Sequence, residues 1–181
     1  MPNKKTIFIP GWMHTVRFYG DYEGLDIWTE NINPQEKIEA EYIIAYSIGA
    51  NFSLLNWEYN KNTKLILVNP LIGNRSFFDW SWRWFQYYLK EGNIPDKNIN
   101  RKKFILSGIK KAYRILKNDF EKIVKEIPNE KLIIIKGKKD NFYFDDKLCD
   151  SLKNNCQLFI EVENAQHNWN EFLKREVDKL I

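Results

Sequence analysis

Cysteine and histidine are both scarce, with two of each in 181 residues. Cys149 and Cys156 cannot build a disulfide framework, and no Cys/His spacing matches a zinc site. Both read as free thiols in a reducing compartment, so a cytoplasmic location is expected. Long apolar runs are missing too. The first, Ile7-Phe8-Ile9, is far too short for a signal-peptide core or a membrane span. There is no phosphate-binding glycine loop, no dinucleotide fingerprint, no nucleic-acid-binding motif and no internal repeat. The expectation is therefore no metal, no cofactor, no nucleic-acid partner and no integral membrane segment. With 44% apolar and 29% charged residues, the chain fits one globular domain, residues 1–181.

What is abundant is local. Aromatics make up 15% of the chain, and eight of them fall in the twelve positions 77–88. At helical spacing Phe77, Trp80, Trp84 and Tyr88 share one face, while Phe78, Trp82 and Phe85 lie on another. One face suits packing between a helical cap and the core. The other suits an acyl pocket or a lipid contact, and pocket lining is favoured because no lipid-anchor signal accompanies it. Charge is uneven as well. Residues 97–125 hold ten Lys or Arg against Asp119 and Glu121, whereas residues 1–60 are net negative. Ile105, Ile109, Ala112, Leu116, Phe120, Ile123 and Ile127 form an apolar stripe, with Lys103, Lys110, Arg114, Lys117 and Lys125 nearer the other side. Such a run is ordinarily a solvated face. Lys110, Arg114 and Lys117 are the candidates for docking an acidic partner.

The strand signals are short apolar runs: Thr6-Ile7-Phe8-Ile9, Tyr42 to Tyr46, Lys64 to Val68, Lys131 to Lys136 and Gln157 to Val162. Leu25-Asp26-Ile27-Trp28 is a weaker sixth. Helical patterns fill the gaps, including Ser47 to about Tyr59, Asp145 to Asn154 and Asn170 to Ile181. Alternation of this kind predicts an α/β fold with a mostly parallel, doubly wound sheet of about six strands. Such sheets carry their sites outside the strand carboxyl ends. There the sequence places Pro10-Gly11-Trp12, then Ser47, then Asn69, then Gly137-Lys138-Lys139-Asp140, then Ala165-Gln166-His167.

Tyr42 to Phe52 has the layout of a nucleophile elbow. A β-rich run ends in Ser47, with the small residues Ala45 and Gly49 two positions either side, and a helix follows at once. The bland alternative is a serine that only caps the helix. A serine, an aspartate and a histidine in that order, all at strand ends, give the chain-wide pattern of the α/β-hydrolases, which this sequence resembles from about Ile7 to its C-terminus. Pro10-Gly11-Trp12 is similar to that family's oxyanion loop, with Pro10 in place of the usual histidine. Ala45-Tyr46-Ser47-Ile48-Gly49 is similar to its elbow, with Ala45 in place of the first glycine.

The resemblance implies Ser47 as nucleophile, His167 as base and Asp140 as the acid that orients it, with Asp145 or Asp146 as alternatives. It implies the backbone N–H groups of Trp12 and Ile48 as an oxyanion hole. His14 lies before the serine, where no base is expected, and reads as a pocket-rim or surface residue. Residues 71–110 are expected to form a helical cap, with Trp12, Phe77, Trp80, Trp84 and Tyr88 contacting substrate. The tryptophan after Gly11, the small cap and the basic stripe further resemble pimeloyl-carrier-protein methyl ester esterases of biotin synthesis. A serine esterase acting on a small or carrier-bound acyl ester is therefore expected. The alternatives are a thioesterase or lipid-active hydrolase, and a hydrolase-like binding protein without turnover.

Overall fold

The computed structural model describes residues 6–30, 32–33, 36–73, 75–92, 94–143 and 146–181; the side chains of Phe77, Asp146 and Lys147 also lie outside the description. Five strands are seen among the described residues: β1 (Thr6–Ile9), β2 (Tyr42–Tyr46), β3 (Lys64–Val68), β4 (Leu132–Gly137) and β5 (Leu158–Val162). They form one sheet in the order β1-β2-β3-β4-β5, and every pairing is parallel. Parallel strands are covered on both faces, which is why the first four read as nearly unbroken Ile, Leu, Val and Phe. Six α-helices accompany them among the described residues: α1 (Ile48–Leu55), α2 (Phe77–Lys90), α3 (Arg101–Leu116), α4 (Phe120–Glu126), α5 (Asp146–Lys153) and α6 (Glu171–Asp178).

Alternate strand residues feed two cores. Ile9, Ile43, Leu65, Leu67, Leu132 and Ile134 pack with side chains of α1, α3, α4 and α5. Phe8, Ile44, Ile66, Val68, Ile133 and Ile135 pack on the other face with Val16, Tyr19 and the α6 residues Leu173 and Val177. The sheet is thus doubly wound.

The sixth strand is not formed. Phe8 donates its N–H to Glu23 at 2.8 Å and accepts from Leu25 at 3.0 Å, making a single bridge opposite Gly24. The chain then curls: the Asp26 carboxylate accepts the Val16 N–H at 2.6 Å, and its carbonyl accepts those of Thr29 and Glu30. Even so, this bridge sets the topology. From β1 the chain runs outward to Gly24 and returns past β1 to β2. The reversal of direction falls between β1 and β2, which is where a doubly wound sheet opens a crevice.

Residues 71–110 hold α2 and only part of α3, which continues as one helix to Leu116 and packs against α1. Position 110 therefore lies inside a helix rather than at a boundary. Ser76 caps α2 by accepting the Asp79 N–H, and Asn100 caps α3 by accepting that of Lys103.

Candidate active site

Ser47 follows β2 directly and has φ 53° and ψ −127°, a conformation strained for any L residue. Its N–H is held by the Val68 carbonyl at 2.8 Å, continuing the β2–β3 ladder past the strand end. Gly49 makes the turn possible. A Cβ there would sit 2.4 Å from the Pro10 carbonyl oxygen, so only glycine lets the β1 loop approach the start of α1. The Ser47 hydroxyl makes no capping bond to the helix. It lies 3.0 Å from His167 Nε2 instead, which disposes of the capping alternative.

His167 Nδ1 is 2.6 Å from Asp140 Oδ2. A carboxylate can only accept here, so Nδ1 carries the proton and Nε2 presents its lone pair to Ser47. All three residues are buried, Asp140 completely. Asp145 and the side chain of Asp146 lie outside the described residues. The rings of Tyr46, Tyr87 and Tyr143 surround the imidazole, with centroids 5.7, 5.3 and 4.6 Å away. With them around it, His167 is only 3% exposed.

Several residues that sequence reasoning missed hold this array. Asn69, at φ 46° after β3, donates to the carbonyls of Gln166 at 3.0 Å and His167 at 2.9 Å. Its oxygen accepts the Gly137 N–H at 2.7 Å, joining the end of β4 to the histidine loop. Tyr46 donates its hydroxyl to the His167 carbonyl at 2.6 Å. Glu91, at the end of α2, accepts the N–H groups of His167 at 3.3 Å and Asn168 at 3.1 Å. Partial burial raises its pKa above the ordinary carboxylate value, and the amide hydrogen bonds act against that rise. Position at a strand end was a signal for Asn69. None pointed to Glu91.

The β1 loop is braced in an unexpected way. Pro10 removes the family-like histidine, but Gly11 donates its N–H to the Tyr19 hydroxyl at 3.0 Å. Tyr19 in turn donates to His14 Nδ1 at 2.9 Å, and His14 Nε2–H donates to the Ile94 carbonyl at 2.8 Å. This chain requires neutral His14, and burial lowers its pKa, with nearby Arg101 adding to the fall and Asp96 opposing it. The sign follows. The unfolded chain takes up a proton near 6.5 that folded His14 resists, so stability is expected to fall as pH drops through 6.5. Melting temperatures from pH 8 to pH 5 should show the fall, and His14→Gln should flatten it.

Ser47 and His167 open onto a cavity of about 540 Å³. Trp12, Trp80 and Trp84 line it, together with Leu71, Ile105, Ile109, Leu116 and Tyr143. His14 also lines it, so it is a buried pocket residue rather than a surface one. Tyr88 does not. It is half-exposed and stacks on Trp84 at 5.6 Å, because Tyr87 turns inward in the last turn of α2. The Phe77 side chain lies outside the described residues. Trp12 and Ile48 both reach the cavity wall. Ile48 is the first residue of α1, so its N–H has no acceptor within the helix. Lys110 and Arg114 on α3 and Lys117 at its end are exposed, and none of them lines the cavity.

No protein-family model matches the sequence, and no curated protein matches it. Solved structures do. The N-formylmaleamic acid deformylase Nfo from Pseudomonas putida S16 is 11% identical over 91% of this chain and 86% of its own, with a TM-score of 0.62. MGS-M2, an α/β-hydrolase enzyme from a Medee basin deep-sea metagenome library, is 13% identical over 99% and 88%, with a TM-score of 0.63. The monoacylglycerol lipase of Paleococcus ferrophilus is 11% identical over 97% and 93%, with a TM-score of 0.53. The fold is that of the α/β-hydrolases. In this α/β-hydrolase fold the three sequence-predicted residues Ser47, Asp140 and His167 come together at the strand ends, although they are 27 to 120 positions apart. No group of His, Cys, Asp and Glu able to hold a metal ion occurs among the described residues.

Proposed function

We propose that this protein is a serine hydrolase that cleaves carboxylic esters of apolar acyl groups. The observation that carries the reading is the hydrogen-bonded line from Ser47 Oγ through His167 to buried Asp140, ending on an apolar cavity. His167 Nε2 takes the hydroxyl proton as Ser47 Oγ bonds to the substrate carbonyl carbon. The carbonyl oxygen becomes an oxyanion, held by the N–H groups of Trp12 and Ile48. Collapse breaks the bond to the alcohol, which leaves with the proton from His167. Water, deprotonated by the same nitrogen, then attacks the acyl-serine and releases the acid. Asp140 stabilises the imidazolium that forms in each half.

The cavity walls support the substrate class. Six tryptophan or tyrosine rings and several aliphatic side chains face it, with little polar surface beyond Ser47, His14, Ser81 and His167. An activity-based fluorophosphonate should label the wild type and not Ser47→Ala, since only an activated serine reacts. Failure to label would favour a hydrolase-like binding protein without turnover. A series of esters of one alcohol should show kcat/KM rising from acetyl to medium-chain acyl groups. A flat or falling series would remove the apolar-acyl reading.

Removing the brace behind the β1 loop tests the proposed oxyanion donor. Tyr19→Phe leaves the buried Gly11 N–H and His14 Nδ1 unpaired, at about 1–3 kcal/mol of stability. With Trp12 released, kcat should fall by about tenfold or more while KM changes little, because the donors act on the transition state. A loss confined to KM would assign Tyr19 to the pocket wall instead.

The finer expectation, a methyl ester on an acidic acyl-carrier protein, has one support: the exposed charges of Lys110, Arg114 and Lys117. Those charges flank exposed aromatic and aliphatic side chains, which an acidic surface would leave without a counterpart.

A further inference from the structure

Large apolar side chains stay exposed around the cavity mouth. On α2, Phe78 is 82% exposed, Trp82 53% and Leu89 66%; on α3, Leu106 is 73% exposed. Phe85, Ile105 and Ile109 are partly exposed and also line the cavity, so the opening lies between the two helices and inside this surface. The outward aromatics of α2 lie on the side of the helix opposite Trp80 and Tyr87, and burying them in the cavity would turn those two out. On α2 the carboxylate of Asp79 is paired with Arg75 and Arg83, and the charge on α3 has one sign. α3 carries Arg101, Lys102, Lys103, Lys110, Lys111 and Arg114 and no Asp or Glu, and Lys117 caps its end.

We propose that the exposed faces of α2 and α3 dock this protein on an anionic lipid bilayer, with the cavity mouth turned toward the acyl chains. Exposed Trp, Phe and Leu beside Lys and Arg are the composition that lies in a lipid–water interface. The rings enter the acyl boundary while the cations meet the anionic headgroups. A second copy of the chain would match the apolar side chains but bring like charges together. An acidic protein would match the charges alone. No helix among the described residues is long and apolar enough to cross a membrane, so the contact is peripheral.

Flotation with vesicles tests this, and it does not depend on the hydrolase reading. The probes are phosphatidylcholine vesicles, alone and mixed with phosphatidylglycerol. The wild type should float with the mixed vesicles, far less with phosphatidylcholine alone, and less as salt rises. The triple variant Phe78→Ser, Trp82→Ser, Leu106→Ser should bind at least about tenfold more weakly. Its turnover of a short soluble ester and its melting curve should match the wild type, since none of the three lines the cavity. Charge reversal by Lys102→Glu, Lys110→Glu and Lys117→Glu should also weaken binding by at least about tenfold. Four results would overturn the proposal. One is no flotation with either vesicle, and another is flotation untouched by the apolar triple variant. The others, each without vesicle binding, are a wild-type dimer in sedimentation that the triple variant loses, and binding of an acidic acyl-carrier protein.

Discussion

Ser47→Ala is expected to lower kcat/KM for an ester by a factor on the order of 10⁴ to 10⁶. The hydroxyl 3.0 Å from His167 Nε2 is the group that would bond to the substrate, and alanine offers nothing in its place. Stability should hardly change. Serine and alanine are strained to a similar degree at φ 53°, and the backbone bond to Val68 is kept. A change in melting of about 1 kcal/mol, for one lost side-chain hydrogen bond, is the most that should appear. Steady-state rates on purified variant, with active-site titration of any wild-type contaminant, decide it. Activity within tenfold of the wild type would mean that a different group attacks.

Asp140→Asn is the second large effect, a fall in kcat of about 10² to 10⁴. The carboxylate at 2.6 Å fixes the proton on His167 Nδ1. An amide can present its NH₂ to that nitrogen, which moves the proton to Nε2 and leaves Ser47 facing a donor. It also removes the buried negative charge that stabilises the imidazolium. Because Ser47 is untouched, slow labelling by a fluorophosphonate should persist in Asp140→Asn and be absent in Ser47→Ala. If Asp140→Asn is near wild type while Asp145→Asn is crippled, the acid has been misassigned.

The array was legible because parallel strands leave a strong mark. Buried on both faces, they read as unbroken apolar runs, and whatever follows each run must lie along one edge of the sheet. Ser47 and Asp140 follow such runs, while His167 follows the edge strand β5, whose Glu161 and partly exposed side chains make a weaker mark. Pairing register carries them to a common edge, with Ile9, Ala45, Leu67, Ile134 and Phe159 in line across the sheet. The expected sixth strand was less legible. Leu25 to Trp28 has the right side chains, but Asp26 spends its carboxylate on the Val16 N–H and turns the chain after one bridge.

The braces were invisible for a different reason. Glu91 reaches His167 across 76 positions, and His14 reaches Ile94 across 80. A carboxylate or imidazole with a partner that distant leaves no local pattern. Tyr88 failed for want of phase: spacing along α2 says which rings share a face but not which way that face turns. Only the packing of Trp80 and Tyr87 against Tyr143 settles the rotation.

By itself, then, the sequence determined the layered fold, the order of the strands along the chain and the identity of the strand-end residues. Those follow from short-range rules: the period of apolar residues, the steric need for Gly49, and the polarity of parallel strands. The tertiary structure alone decided which nitrogen of His167 faces Ser47, what replaces the missing histidine at Pro10, and which aromatics line the cavity. Each of these is a matter of direction and distance between groups far apart in the chain, which are set only when the helices have packed onto the sheet.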